Sequence, residues 1–377
     1  MKNTFGQSLQ TTIFGESHGP YIGVVLDGLA PGIEVNEDFI KERLSLRRPS
    51  GAISTKRVEA DEYQIVSGVL NGKTTGTPLC ILIPNTNTRS ADYDKAGRVA
   101  RPGHADYTAM CKYHGFEDYR GGGHFSGRIT AAIVAGGAIA QNALSKKGIE
   151  IGSHIYKLSD ITDSSFDEII ASANNQSEKN EELLKEISSL NKKEFAVINE
   201  EVSAKMKGAI EDAAKDADSV GGVLETAITG IPSGVGEPWF DSVESILAHI
   251  LFSVPGIKGV EFGAGFDKVC ERGSSFNDAF RNEDGKIVTS TNNNGGINGG
   301  ITNGMPIIIK CAVKPTPSIY KEQQSINLNT LENSDLIIEG RHDPAIIHRA
   351  RVVVDSVCAL AVYDMLAARF GTDYFVN

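Results

Sequence analysis

The chain has 377 residues, of which 40% are hydrophobic and 23% are charged. This balance provides enough apolar side chains for a sizeable buried core and excludes a chain that is disordered throughout. The formal net charge is −11 at pH 7, so binding to nucleic acid or to an anionic membrane through overall charge is disfavoured. An anionic ligand would therefore have to be bound by a local cluster of cations.

No stretch approaches the roughly 20 apolar residues that a membrane-spanning helix needs, and the N-terminus does not resemble a secretory signal. These features predict a cytoplasmic protein. Neither a disulfide framework nor a metal site is expected, because the cysteines are odd in number and never form a Cys-x-x-Cys spacing. We interpret them as small buried hydrophobic residues: Cys80, Cys111, Cys270, Cys311 and Cys358.

Strands and helices are mixed along the chain. In chain order, the patterns predict strands at residues 21–28, 64–70 and 78–83, a helix at 128–144, a strand at 222–230, a helix at 242–252, a strand at 306–313 and a helix at 349–368. Several strands alternate apolar and polar residues in the manner of half-buried antiparallel strands. The first helix is so rich in Ala and Gly that we expect close packing on several sides. The fold class is therefore α+β, or a layered arrangement of sheets and helices, and not a doubly wound parallel sheet.

Most of the net negative charge lies in one stretch. Residues 160–220 carry 15 acidic and 7 basic side chains, whereas residues 1–130 are nearly neutral. Helical spacing within the acidic stretch predicts helices with a charged outer face. Since no linker or repeat divides the chain, we expect a single domain over residues 1–377 with an acidic helical excursion at about 160–220.

Glycine contributes 40 residues, and it is concentrated in pairs and one triplet. Such clusters are typical of backbone that turns sharply or approaches a ligand closely, which favours a binding protein. The dinucleotide pattern G-x-G-x-x-G does not occur. Residues 68–74 resemble a phosphate-binding loop but have one residue too few between the glycines, so a strand followed by a turn explains them better.

Three loops rich in Gly and Pro carry ionisable groups. The first contains His18, the second runs from Arg101 through His104 to Arg128, and the third contains Asp343. Histidine exchanges protons near neutral pH, and arginine binds phosphate and carboxylate through paired hydrogen bonds. Together these residues are suited to proton transfer on an anionic substrate.

Each of these residues also has a purely structural explanation. His18 could stabilise a turn, Arg128 could be a surface charge, and Asp343 could cap the last helix ahead of Pro344. Two further loops, at residues 292–304 and 314–318, could hold a second ligand such as a flat ring or a phosphate, or could be plain surface loops.

The order of these motifs closely resembles the chorismate synthase family over essentially the whole chain. The resemblance rests on residues 15–19, 101–106, 119–123, 218–222, 236–238, 258–263, 295–304, 314–318 and 340–344. It implies a carbon–oxygen lyase that converts 5-enolpyruvylshikimate 3-phosphate to chorismate by an anti 1,4-elimination of phosphate, in the shikimate pathway that leads to aromatic amino acids. The family requires reduced FMN without net redox change. Two sources of the reduced flavin are compatible with the resemblance: NADPH used by the chain itself, or an external reductant.

The resemblance also implies an architecture and an assembly. The family forms a layered β-α-β sandwich, in which antiparallel sheets enclose helices, and it assembles as a homotetramer. From the net charge, we expect neither a nucleic-acid partner nor a membrane partner.

Site residues are transferred position by position from the family. The catalytic residues would be His18, which protonates the departing phosphate, His104, which manages protonation near the flavin, and Asp343, which assists removal of the substrate proton. Substrate or NADP would be bound by Arg47 and Arg48, in a basic loop at 46–49, and by Arg128. The flavin would be bound by His124, Phe125, Ser126, Pro255, Gly256, Gly299, Lys314, Pro315, Thr316, Pro317, Ser318 and Arg341.

The chain departs from the commoner family pattern at residues 124–130. Where the family usually has Arg-Ser-Ser-Ala-Arg-Glu-Thr, this chain has His-Phe-Ser-Gly-Arg-Ile-Thr. Ser126, Arg128 and Thr130 are retained, so we expect the loop itself to be kept.

Two other functions compete with this interpretation. A flavin-dependent oxidoreductase would use a similar pocket but would consume one reductant per turnover. A non-catalytic protein that binds an anionic metabolite or flavin would not explain two loop histidines and a carboxylate beside the arginines.

Overall fold

The structure is a computed structural model. It describes residues 2–49, 53–54, 61–86, 98–171, 173, 175–338, 340 and 342–376. Within these ranges the strands are β1 (Thr4–Phe5), β2 (Gln10–Gly15), β3 (Tyr21–Asp27), β4 (Gln64–Ser67), β5 (Val69–Leu70), β6 (Lys73–Thr74), β7 (Leu79–Pro84), β8 (Glu150–Leu158), β9 (Ile161–Thr162), β10 (Gly222–Thr229), β11 (Ile257–Phe262), β12 (Phe280–Glu283), β13 (Lys286–Thr289), β14 (Ile297–Asn298), β15 (Ile301–Thr302), β16 (Ile307–Val313), β17 (Gln323–Ile326) and β18 (Asn333–Leu336).

The helices have the following bounds: α1 (Glu37–Arg47), α2 (Asp106–Tyr113), α3 (Thr130–Ser145), α4 (Phe166–Ile170), α5 (Gln176–Leu190), α6 (Glu200–Lys215), α7 (Val243–Leu251), α8 (Gly273–Phe276) and α9 (Ile347–Phe370). Short 3-10 turns occupy Arg120–Phe125, Gly127–Ile129, Trp239–Asp241, Gly265–Lys268 and Thr372–Phe375. None of the helices within the described ranges is long and apolar enough to cross a membrane.

Two five-stranded antiparallel sheets form the framework. The first has the order β1-β2-β3-β7-β4, and the second has the order β11-β16-β10-β8-β9. Helix α3 packs on β3 and β7 of the first sheet, α9 packs on β8 and β10 of the second, and the two helices pack on each other. The prediction of an α+β fold with antiparallel sheets enclosing helices is confirmed.

The two adjacent glycines of α3 explain how this helix fits between its neighbours. A β-carbon on Gly136 would lie 3.3 Å from Val24 of the first sheet, and one on Gly137 would lie 2.5 Å from Cβ of Ser356 on α9. Because a glycine stands at each contact, the helix approaches a sheet on one side and a helix on another. The expected tight packing of this Ala/Gly-rich helix is confirmed.

Helix α9 is buried along most of its length, as a helix at the centre of a layered fold must be. Its buried polar side chains have partners. Asp355 accepts hydrogen bonds from Arg43 of α1 at 2.5 Å and from Ser153 of β8 at 2.5 Å, and Asp364 accepts three from the backbone N–H groups of residues 7–9.

The acidic stretch forms three helices, α4 to α6, in the region where helices were expected. Apolar residues of α4 and α5 form a cluster on the outer face of the second sheet, and Ile187 lies so close to Gly152 that a β-carbon there would be 2.8 Å away. The charged outer face of these helices therefore has an apolar counterpart that covers the sheet.

Several expectations from sequence were wrong in detail. Residues 64–70 are not one strand: Gly68 has φ +82°, and a β-carbon there would lie 2.5 Å from Cα of Leu79, so the chain turns between β4 and β5. Cys111 and Cys270 are exposed and Cys80 is half-buried, whereas Cys311 and Cys358 are buried as expected. The first two lie in surface segments, which apolar character alone did not reveal.

Candidate active site

The loop that carries His18 is bound to the glycine triplet at residues 121–123. The Ser17 N–H donates to the Gly123 carbonyl at 3.0 Å, and His124 Nδ1 lies 2.8 Å from the Gly15 carbonyl oxygen. The His18 ring packs directly on Gly121, where a β-carbon would lie 2.2 Å from its Cε1 atom. Gly121 has φ +59°, so both the backbone conformation and the close approach require glycine.

His104 lies in the turn before α2 and joins this turn to the 314–318 loop. Its Nε2 atom is 2.8 Å from Ser318 Oγ, and the Lys314 ammonium donates to the Gly103 carbonyl at 2.7 Å. Burial, with help from the nearby charges of Arg101, Lys314 and His342 and against the opposing effect of Asp106, lowers the pKa of His104 to about 4. His104 is therefore neutral at neutral pH.

Arg101 connects the two histidine loops. It makes a bidentate ion pair with Asp106, with distances of 2.8 Å from Nε and 2.7 Å from Nη2. That pair holds the pKa of Asp106 below its usual value although burial opposes the shift. A β-carbon on Gly122 would lie 3.8 Å from Arg101 Nη2. His18 and His104 thus lie on loops that border the same glycine turn.

Three arginines converge on one buried carboxylate that the sequence did not single out. Arg47 Nη2 is 2.9 Å from Asp61 Oδ2, Arg48 Nε is 3.8 Å from the same oxygen, and Arg128 Nη1 pairs with Oδ1. Arg47 is the last residue of α1 and Arg48 caps it, so they do not form a basic loop as expected. Helix α1 places both at the site.

Asn85, at the end of β7, links the arginines to the His18 loop. It accepts a hydrogen bond from Arg128 Nε at 3.1 Å and donates to the carbonyls of Glu16 at 2.9 Å and Gly19 at 2.8 Å. Nothing in the sequence pattern marked Asn85, because its partners are distant in the chain.

Asp343 is buried and does not cap the last helix. Helix α9 begins at Ile347, and Asp343 instead pairs with Arg349 Nη1 on its first turn. Arg349 Nε also donates to the Arg47 carbonyl at 2.7 Å, which joins Asp343 to the arginine cluster. The His342 ring lies 5.2 Å from the Tyr320 ring, at an interplanar angle of 47°. Arg349 was missed because its role appears only when α1 and α9 pack together.

The residues expected to bind the flavin fall into three groups. Pro255 and Gly256 lie beside the loop at 314–318, since the Lys314 N–H donates to the Gly256 carbonyl at 2.9 Å. Phe125 is partly exposed with its ring 6.1 Å from that of Tyr113, and Ser126 accepts a hydrogen bond from the Arg128 N–H at 3.3 Å. Arg341 lies outside the described residues.

Gly299 is not brought to the other predicted flavin residues. Its loop is anchored before β16, where the Asn292 side chain donates to the Pro306 carbonyl at 2.9 Å, whereas Lys314 follows β16. The seven residues of β16 extend for about 20 Å between the Pro306 anchor of this loop and Lys314. The loop at 292–304 is held by Asp278 and by the segment at 233–243.

The family model described as chorismate synthase matches residues 9–367. A chorismate synthase from Methanosarcina mazei is 43% identical over 372 residues, which cover 98% of this chain and 97% of that protein. One from Thermococcus kodakarensis is 41% identical, with 97% of each chain covered. A crystal structure of chorismate synthase superimposes with a TM-score of 0.74 at 28% identity, covering 97% of this chain and 94% of that one.

The family match extends over the glycine turn, both histidine loops and the arginine cluster, and the fold agrees with that of a solved member. The chain therefore belongs to the chorismate synthase family and is an enzyme.

Proposed function

We propose that this enzyme converts 5-enolpyruvylshikimate 3-phosphate to chorismate by an anti 1,4-elimination of phosphate, and that it requires reduced FMN without net redox change. The proposal rests on one observation: two loop histidines and an arginine cluster converge around the glycine turn at 121–123. The histidines are His18 and His104, and the three arginines of the cluster surround the buried carboxylate of Asp61. This set matches a substrate with one phosphate and two carboxylates.

The arginine cluster supports binding of those anionic groups. Arg47, Arg48 and Arg128 place three guanidinium groups around the carboxylate of Asp61, which concentrates positive charge where an anionic ligand can be bound. Arginine binds phosphate and carboxylate through two parallel hydrogen bonds, which also fixes the orientation of the substrate.

His18 and Asp343 would carry out the proton transfers. Elimination of phosphate needs a donor at the departing oxygen and an acceptor for the proton lost from carbon, and these two groups supply one of each. Gly121 fixes the position of the His18 ring, and Arg349 fixes the carboxylate of Asp343. Donor and acceptor would therefore be held in place before the substrate binds.

The residues around 314–318 fit a flavin phosphate and ring. The pKa of Lys314 is lowered by burial and by the nearby charge of Lys258, so two cations lie close together there. Thr316 Oγ1 is buried without a hydrogen-bond partner among the described residues, and it is available to a ligand oxygen. When bound, reduced FMN supplies electron density to the reacting system and recovers it. Neutral His104, held by Ser318, would accept a proton beside it and return it.

We also propose that the chain folds as one domain and assembles into a homotetramer in the cytoplasm. Support for self-association comes from exposed aromatic side chains next to α7: Trp239 is 83% exposed and Phe240 is 91% exposed. Exposed apolar groups of this size are typical of protein interfaces.

The proposal can be tested by anaerobic incubation of the purified protein with the substrate and photoreduced FMN, following chorismate and phosphate together. Equal amounts of both products, in excess over flavin, are expected. A His18→Ala variant should lose roughly 100-fold or more in rate, the range for removal of a general acid. The variant His114→Asn changes an exposed histidine at the end of α2 and serves as control.

Consumption of one reductant per turnover would favour a flavin-dependent oxidoreductase instead. Full activity of His18→Ala would remove the role assigned to that residue but not the reaction.

A further inference from the structure

Asp61 lies at the point where the three arginines of the site meet. Its side chain is fully buried, those of Arg47 and Arg128 are 4% and 7% exposed, and that of Arg48 is 37% exposed. The two carboxylate oxygens are divided between partners, with Arg47 and Arg48 at Oδ2 and Arg128 at Oδ1. The carboxylate thus lies beneath the guanidinium groups, on the side away from solvent.

The backbone at Asp61 is adapted to this position. Asp61 has φ +47°, a left-handed backbone conformation that residues other than Gly, Asn and Asp rarely adopt. Residues held in such conformations are concentrated at ligand and active sites, where the surrounding structure enforces them.

The negative charge of the Asp61 carboxylate allows the three arginines to lie close together. Three guanidinium groups brought together repel one another, and one buried carboxylate that pairs with all three reduces this repulsion. Resting on the function proposed above, we propose that Asp61 is a positioning residue: it holds Arg47, Arg48 and Arg128 in the arrangement that receives the anionic groups of the substrate.

The same arrangement reaches the groups proposed to move protons. Arg128 is bonded through Asn85 to the His18 loop, and the Arg47 carbonyl is bonded through Arg349 to Asp343. A shift of the arginines would therefore disturb both ends of the site. Asp61 itself contacts only arginines among its described partners and does not need to touch the substrate.

A simpler role for Asp61 would be to lower the positive charge, and the two roles predict opposite signs. If Asp61 only lowered the positive charge of the cluster, Asp61→Asn would raise that charge by one unit and tighten binding of an anion. If Asp61 positions the arginines, the same substitution weakens binding in spite of the added charge.

The experiment is calorimetric binding of 5-enolpyruvylshikimate 3-phosphate in the presence of oxidised FMN, which allows binding without turnover. We expect Asp61→Asn to bind about tenfold more weakly than wild type, the loss expected for charge-assisted hydrogen bonds that lose their geometry. The variant Asp212→Asn removes the carboxylate of an exposed pair with Lys215 and controls for the change in net charge. Binding by Asp61→Asn that equals or exceeds that of wild type would overturn the inference.

Asp61→Glu provides a second test if the Asn variant does not fold. It keeps the charge but moves the carboxylate by one methylene group. If Asp61 positions the arginines, the substrate should bind more weakly; if Asp61 only lowers the positive charge, binding should not change. Steady-state assays with reduced FMN should show a raised KM for Asp61→Glu as well. Unchanged binding and an unchanged KM in this variant would contradict the proposal that Asp61 positions the arginines.

A wild-type protein that does not bind the substrate would overturn the proposed function itself. Turnover by the wild type together with unaffected Asp61 variants would overturn only this inference.

Discussion

At the scale of single residues, the position of the His18 ring depends on its contact with Gly121, which has no side chain. Gly121→Ala would place a methyl group 2.2 Å from the His18 ring in a backbone with φ +59°. We expect a loss of stability of about 1–2 kcal/mol from the backbone conformation. We also expect a fall in turnover of about 100-fold, because the ring must move by roughly 1 Å. Chemical denaturation and the elimination assay measure the two effects separately.

Gly148→Ala is the matched control for this substitution. Gly148 has φ +73°, but nothing lies within 4 Å of a β-carbon built there. It should therefore show the conformational cost without a change in activity. Equal activities of the two variants would contradict the proposed dependence of His18 on Gly121.

His348 predicts a dependence of stability on pH. Burial lowers its pKa from 6.5 to about 4, with help from the charges of Arg349 and Arg351. The unfolded chain binds a proton at higher pH than the folded one, so stability is fully present above pH 6.5 and is lost as the pH falls toward 4. The difference between these two pKa values corresponds to about 3 kcal/mol of folding stability.

The measurement is urea unfolding of wild type and His348→Gln from pH 7 to pH 4. The free energy of unfolding should fall less steeply for the variant, because it removes one group that takes up a proton on unfolding. His114→Gln replaces a histidine at an exposed position and controls for the loss of one histidine. Parallel slopes for wild type and His348→Gln would contradict the prediction.

At the scale of elements, the contact between α3 and α9 depends on the absence of a side chain at one position. Alanine at position 137 would gain about 1 kcal/mol in helix propensity. Its β-carbon, however, would lie 2.5 Å from Cβ and 2.8 Å from Cα and O of Ser356, so the helices must separate. We expect Gly137→Ala to lower the free energy of unfolding by about 1–3 kcal/mol.

Gly208→Ala on α6 tests the same residue change where space is open. Nothing lies within 4 Å of a β-carbon at this position. Relief of backbone entropy should therefore raise the free energy of unfolding by about 0.5–1 kcal/mol. Thermal or urea denaturation of both variants checks the opposite signs; stabilisation by both would mean that the helix contact is not tight.

At the scale of the whole molecule, the exposed aromatic pair predicts self-association. Light scattering of the wild type is expected to give the mass of a tetramer. Replacing Trp239 and Phe240 by serine should shift the mass downward without loss of circular dichroism, because their apolar surface would no longer be buried between copies.

Leu70→Ser removes another exposed apolar side chain, 67% exposed, from the β5–β6 hairpin and controls for surface hydrophobicity in general. A wild type that is monomeric at micromolar concentration would contradict the proposed assembly.

Local patterns in the sequence were sufficient for much of the framework. Strand β3, strand β10, strand β16 and helix α7 lie within a residue or two of their predicted bounds, because each is short, apolar and flanked by turn residues. The glycine density of α3 predicted its tight packing. The last helix, predicted at 349–368, spans Ile347–Phe370 and also agrees within two residues. Helix α1 and strand β8 were not predicted.

The sequence by itself determined the class of fold, the family and the chemical types at the site, since these depend on residue identity and order. The tertiary structure alone decided which groups meet. Asp61, Asn85 and Arg349 carry no local signal, yet they join the arginines to the His18 loop and to Asp343. Gly299, prominent in sequence, lies beyond the far end of β16 from Lys314. Side-chain partnerships between distant segments depend on how the sheets and helices pack, and no pattern along the chain records that.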